Sequence, residues 1–331
     1  MKKLILSILL VGSVLGANAQ NRKHIANFSL FQQYYNPALT GYEGTMLKTF
    51  HRNQWSGFEG APKTFFASAE LDLADLSAWK RSDLSKTKRH DFYDRQAGAK
   101  HAFGLAVLQD QFGPFSESQV HLSYASRIRL SERLSLRWGG AATYSAQRLD
   151  GNKLTIDNEN DPEYQDVMGQ RVRQGKLDLN LGWMLTEENF YLGYAMQDIT
   201  KTGIVASGDE FLQDLYTRKH FVQAGYRTAV SDQIGIVANA MLQYDDQLKE
   251  GAEVQLKAVY QNMFWLGGGY RKDLAYNATA GIRFEQFRIG YAYEMPTADA
   301  KYISRGTNEI SLTYNLIPVK YPKYGKQVTI W

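Results

Sequence analysis

The chain has 331 residues, a formal net charge of +4 and no cysteine, and it is rich in Tyr (21), Phe (16) and Gly (28). Without cysteine there is no disulfide framework and no thiolate metal site, and the near balance of charge argues against a nucleic-acid partner. Mean hydropathy is negative, and beyond the first 20 residues nothing approaches the ~18 consecutive apolar residues of a membrane helix.

Residues 1–19 read as a signal peptide. Lys2 and Lys3 form a basic start, residues 4–15 an apolar stretch, and Ala17-Asn18-Ala19 a small-residue cleavage site, so cleavage is expected after about Ala19. No Cys follows that site, which excludes lipoprotein processing. Residues 20–44 lack strand alternation and carry an aromatic load with an Asn36-Pro37 turn signal. They are expected to pack as a plug-like segment in a barrel mouth.

From residue 45 to residue 316 the pattern is that of strands. It is clearest over 118–147, where Val120, Leu122, Tyr124, Ile128 and Leu130 alternate with Gln119, His121, Ser123, Arg127 and Arg129. After a polar break at Ser131-Glu132, Leu134, Leu136, Trp138, Ala142 and Tyr144 resume the alternation. A period of two places successive side chains on opposite faces. Strands of about ten residues, tilted, cross a bilayer's hydrocarbon core. One apolar face and one polar, charged face suit a wall with lipid outside and a filled or wet interior.

Strands are expected at about 45–54, 63–73, 100–111, 116–130, 133–147, 174–186, 188–198, 217–230, 232–243, 250–260, 262–273, 274–284, 285–294 and 306–316. The fold class is therefore all-β, a transmembrane outer-membrane β-barrel of about 14 antiparallel strands, an even number as such barrels require. The domain reading is a signal peptide (1–19), a plug-like segment (20–44), the barrel (45–316) with a basic insert at 74–99, and a C-terminal tail (317–331). Short connections at 131–132, 187–189, 231–233, 261–262 and 285–286 alternate with long ones at about 148–173, 199–216, 244–249 and 295–305. In outer-membrane barrels the short turns face the periplasm and the long loops the exterior. That parity puts residues 55–60 outside and the 74–99 insert in the periplasm. Lys80, Arg81, Lys86, Lys88, Arg89 and Arg95 make the insert basic, and it reads either as a solvated loop or as a contact for an acidic partner or anionic headgroups.

No catalytic or cofactor motif is present. The six histidines lack zinc-binding spacing, there is no nucleophile elbow or phosphate loop, and Gly267-Gly268-Gly269 lies inside a strand, where close packing explains it. The acidic residues Asp157, Glu159, Asp161, Glu163 and Asp166 miss the Gly and terminal Glu of a calcium loop. His51 and His121 are placed toward the lumen or an interface. Arg127, Arg129, Arg137, Lys176, Asp178, Glu253, Lys257, Arg283, Arg288 and Glu294 fall on the polar face, where an internal salt-bridge network and a selective pore both remain open readings.

Four stretches then resemble one family. Gln33 through Gly41 contains Asn36-Pro37-Ala38 followed by Gly41. Arg52-Asn53-Gln54-Trp55-Ser56-Gly57-Phe58-Glu59-Gly60-Ala61-Pro62-Lys63-Thr64 is the most specific stretch. Phe112-Gly113-Pro114-Phe115 is followed by Ser123-Tyr124-Ala125 and Arg127-Ile128-Arg129-Leu130-Ser131. Asn308-Glu309-Ile310-Ser311-Leu312-Thr313-Tyr314 lies in the last strand. Together these look like the PorP/SprF-type proteins of the type IX secretion system of Bacteroidota. The resemblance implies a non-enzymatic outer-membrane component without a cofactor. Its expected partners are secreted cargo proteins (adhesin C-terminal domains), other type IX secretion components and outer-membrane lipid, in some members with a link to gliding motility. It makes Asn36, Pro37, Ala38, Gly41, Arg52, Gln54, Trp55, Gly57, Phe58, Gly60, Ala61, Pro62, Gly113, Pro114 and Phe115 the candidates for folding or partner contacts. The 74–99 insert and the stretch after Leu316 look longer than the family pattern. The alternative reading is a plugged barrel that transports a small hydrophobic solute.

Overall fold

The computed structural model describes residues 24–75, 90–91, 99–153, 171–200, 205–207, 217–245, 250–297, 305–320 and 328–331. The signal peptide, most of the basic insert and the acidic cluster at 157–166 lie outside the described residues. The barrel strands are β1 (Met46–Asn53), β2 (Lys63–Asp72), β3 (His101–Phe112), β4 (Phe115–Arg129), β5 (Ser135–Asp150), β6 (Arg171–Thr186), β7 (Phe190–Gln197), β8 (Lys219–Ala229), β9 (Ile234–Asp245), β10 (Glu250–Tyr260), β11 (Phe264–Arg271), β12 (Ala275–Phe284), β13 (Phe287–Pro296) and β14 (Thr307–Asn315). Each pairs antiparallel with its sequence neighbours, and β1 pairs with β14 from Met46↔Asn315 to Asn53↔Asn308, which closes a 14-strand barrel. Closure leaves no unpaired edge, the condition for β structure in lipid.

The side-chain period sets inside and outside. On β6 Leu179, Leu181 and Trp183 are exposed while Lys176, Asp178 and Asn180 are buried in the lumen. The same rule puts Val254 and Leu256 outside and Glu253, Gln255 and Lys257 inside on β10. Aromatic pairs mark both rims of the apolar belt. Phe287–Tyr314 and Tyr124–Trp138 lie toward the short-turn end, and His220–Tyr244 and Tyr270–Tyr276 toward the long-loop end. The tight turns use left-handed residues where the strand twist demands them: Gln261 and Asn262 both take positive φ (+51° and +55°) between β10 and β11. Residues 262–284, expected as two abutting strands, are separated by a Lys272-Asp273-Leu274 turn in which Asp273 has φ +59°.

Wall height is uneven. β4, β5 and β6 have 15, 16 and 16 residues, against 8 in β1, β7 and β11. The extra length rises at the long-loop end, where Val205–Ser207 pairs with β6 at 175–177. At the opposite end His90–Asp91 of the basic insert pairs in parallel with Val319–Lys320, so the two stretches that look longer than the family pattern meet each other.

The core is inside the barrel. Residues 24–44 run through the lumen as three short helical turns, Phe28–Leu30, Gln32–Tyr35 and Pro37–Leu39. Their Ile25, Phe28, Leu30, Phe31 and Tyr35 pack with the wall residues Phe50, Phe66, Leu108, Phe221 and Met241. A second cluster joins Ala38 and Leu39 to Tyr191, Val237, Val259 and Trp265, and to Val328, Ile330 and Trp331 near the end of the chain. Trp331 is thus a lumenal core residue.

Candidate functional site

The first motif is a dock. Asn36 accepts a hydrogen bond from Ala38 N (3.0 Å) through Oδ1 and donates to the Trp183 carbonyl (3.2 Å), capping the turn that starts at Pro37. The wall behind it is built from small residues. A Cβ on Gly139 would lie 2.5 Å from the Pro37 carbonyl oxygen, and one on Gly182 would lie 2.0 Å from Asn36 Oδ1. Arg137, fully buried on β5, clasps this turn: its Nε donates to Ala38 O (2.9 Å), Nη2 to Thr40 O (3.0 Å) and Nη1 to Ala99 O (2.9 Å). Gly41 N donates to Glu70 Oε2 at 2.7 Å.

Ion pairs fix both ends of the plug. Near the long-loop end Arg52 pairs with Glu294 and, at 3.3 Å, with Glu309. Glu309 accepts from Ala26 N (2.8 Å) and Asn27 N (3.1 Å). Arg271 bridges Glu253 (3.0 Å) and Glu294 (3.1 Å). Near the short-turn end Lys48 bridges Glu43 (3.1 Å) and Glu70 (3.0 Å), and Arg288 holds Glu43 at 2.7 Å. Burial alone would raise the Glu43 carboxyl, but the cations Arg288 and Lys48 outweigh it and hold it well below the usual carboxylate range. Outside the strands Asp198 is likewise pushed up by burial and, more strongly, pulled down to about 2 by Lys219 and Lys176.

The second and third motifs meet at the long-loop rim. Gln54 N donates to Pro62 O (2.9 Å) and Phe58 N to Trp55 O (3.0 Å), folding the β1–β2 loop. Ala61 and Pro62 are buried beneath it. Gly57 takes φ +89° beside Arg305, whose guanidinium lies 5.9 Å from the Phe58 ring centre. Gly113 N donates to Gly60 O (2.9 Å), Pro114 O accepts from Asp150 N (3.0 Å), and Trp55 packs edge-on to Phe112 at 5.7 Å. Phe58, Phe112 and Phe115 remain 64, 49 and 52 % exposed. The motif residues thus divide into a plug dock (Asn36, Pro37, Ala38, Gly41), a lumenal anchor (Arg52) and an aromatic rim (Gln54, Trp55, Gly57, Phe58, Gly60, Ala61, Pro62, Gly113, Pro114, Phe115).

Two placements differ from the sequence reading. Arg129 lies exposed at the short-turn rim, donating to the Ser131 and Glu132 carbonyls, because its position is two residue pairs past the Arg127↔Arg137 level, at the end of the strand. His51 is exposed on the outer face, since it alternates with the lumenal Arg52. His121 does line the lumen, near Gln119 (3.1 Å) and Thr143 (2.9 Å). The sequence reading did not name the lumenal residues Lys48, Glu70 and Arg271 and named Glu309 only within a family stretch, although each sits at an inward position of its strand. Among the described residues no group of side chains forms a metal site.

A closed antiparallel barrel with an apolar outer belt and a plugged, charged lumen defines an outer-membrane β-barrel. Solved structures of similar fold include the CymD monoaromatic hydrocarbon channel (12 % identity, TM-score 0.52, covering 88 % of this chain and 95 % of that one). The chain also aligns with the Ralstonia pickettii toluene transporter TbuX (10 %, 0.48, 86 % and 92 %) and with a Pseudomonas aeruginosa FadL homologue (9 %, 0.44, 85 % and 92 %). At such identities the likeness is one of fold. A search of curated proteins by sequence found no match. The profile of the family described as type IX secretion system membrane protein PorP/SprF matches residues 17–314. The chain belongs to that family.

Proposed function

We propose that this barrel is a non-enzymatic docking component of the type IX secretion system, which assists export of specific secreted cargo and holds it at the cell surface. Adhesins are the cargo class we have in mind, with a role in gliding motility where the adhesin is a motility protein. One observation carries the reading: residues 24–44 and 328–331 fill the lumen, the first segment tied there by Arg137, Glu309 and Glu70 and the second by Lys257, Arg283 and Asn262. A filled barrel works through its rims and outer wall, and the exposed Phe58, Phe112 and Phe115 offer an aromatic docking face at the external rim. The family motif residues around them serve as its frame.

The alternative, transport of a small hydrophobic solute, draws on an apolar recess of about 920 Å³ on the membrane-facing wall, lined by Phe103, Leu122, Tyr124 and Leu181 over Gly140 and Ala142. One experiment separates the two. The gene is deleted in its native host, and surface and medium proteomes are compared with those of cells complemented by wild type or by F58A/F115A. In the docking reading a few large secreted proteins leave the surface for the medium in the deletion, and the double variant reproduces the loss at wild-type barrel abundance. If every surface protein stays in place while uptake of a hydrophobic nutrient falls, the transporter reading replaces it.

A further inference from the structure

Residues 328–331 occupy a seat built for an extended peptide at the short-turn end of the lumen. Val328 lies against Gly235, where a Cβ would come within 2.1 Å of its Cγ2. Thr329 N donates to Asn262 Oδ1 (2.9 Å), and Thr329 Oγ1 accepts from Arg283 Nη1 (2.6 Å). Ile330 is fully buried. The Trp331 indole meets Tyr191 edge-on at 4.8 Å and lies 4.0 Å under the Arg227 guanidinium. Its main-chain oxygen accepts from Lys257 Nζ (3.0 Å) and Ser29 Oγ (3.2 Å). Pockets for the side chains together with polar groups for the main chain are the recognition mode of an extended peptide. These contacts run to side chains of the wall and plug and not to a strand ladder, so the segment is separable in a way the barrel strands are not.

We propose that this seat is a peptide-recognition site on the periplasmic side, held at rest by residues 328–331. On engagement it is taken by an extended segment of a partner protein with the same pattern: an aliphatic residue, a hydroxyl residue, an aliphatic residue and an aromatic one. The short-turn end opens to the periplasm, the compartment in which such a segment is presented. The cation–π and edge-on contacts make the aromatic the anchor. The inference does not depend on which cargo the external rim holds.

The test uses a labelled peptide Lys-Gln-Val-Thr-Ile-Trp and the barrel in detergent, truncated after Gln327. The truncated barrel binds the peptide, and replacing the peptide's Trp by Ala weakens binding at least tenfold, as does R227A in the barrel. In the full chain, which has no cysteine, I330C reacts slowly with a maleimide. Excess peptide, or G235L placed in the Val328 seat, speeds that reaction at least tenfold. Folding is followed by the faster gel migration of unheated barrels, and the I330C readout stands on its own should the truncation not fold. The proposal is overturned if the folded truncated barrel binds the peptide and its Ala form alike or not at all, or if neither peptide nor G235L changes I330C reactivity.

Discussion

Arg137 shows how a single side chain converts a sequence motif into architecture. Its guanidinium is removed from water and spends its donors on three main-chain carbonyls, two of them in the Asn36–Gly41 turn. A charged donor bonded to a neutral acceptor contributes roughly 1.5–3 kcal/mol, and the carbonyls it leaves behind become unsatisfied. R137A should therefore lower barrel stability by about 3 kcal/mol or more in urea unfolding followed by tryptophan fluorescence. R137K should recover only a small part of this, because an ammonium cannot span three carbonyls as the planar fork does. A loss below ~1 kcal/mol would show that the clasp is incidental. Asp198 gives a second residue-scale expectation. Its folded pKa of about 2 is depressed relative to an unfolded value near 3.9. Its contribution is therefore complete above about pH 4, declines as pH falls toward 2, and is on the order of 2 kcal/mol at neutrality. The stability difference between wild type and D198N should be largest at pH 6–7 and shrink toward pH 2. A difference that stays constant across that range would remove Asp198 from the acid response.

The elements differ in how much of themselves they announce. β6 was plain in the sequence because Leu177, Leu179, Leu181, Trp183 and Leu185 alternate with Lys176, Asp178 and Asn180, and the burial of those residues follows the alternation without a break. Strand count and order follow from that period, since consecutive antiparallel strands close without crossovers. The plug is legible in another way. Its aromatic residues cannot remain in water, and the small residues opposite it, Gly139 and Gly182, are explained only once the turn is seen to approach them. What no period reveals is a contact such as Glu309 with Ala26 N, made across 283 residues. Inward charges announce that they face the lumen but not which of them pair. The seat of residues 328–331 was illegible for a related reason: four residues are too few to carry a repeat, and their partners Arg227, Gly235 and Lys257 belong to β8, β9 and β10 respectively.

At the scale of the molecule the barrel behaves as an inside-out globule. The belt faces lipid, and the space that is an aqueous channel in wide barrels holds two hydrophobic clusters and the ion-pair network of Arg52, Arg271, Glu253, Glu294 and Glu309. Buried ion pairs contribute modestly to net stability, but breaking one by removing a partner costs about 3–5 kcal/mol, so this network serves best as a fastener that keeps the plug in register. Reconstituted in a planar bilayer, the wild-type protein should therefore show no discrete conductance steps. R52A leaves Glu294 and Glu309 facing each other without their shared cation and loosens the plug where Glu309 holds Ala26 and Asn27. It should produce intermittent steps, and R52A/E309A should produce more of them, because the plug then loses the carboxylate itself. Steady ohmic steps from the wild type would mean that the lumen conducts around the plug. In that case the rims would no longer be the necessary seat of function, and the argument for a docking barrel would lose its physical basis.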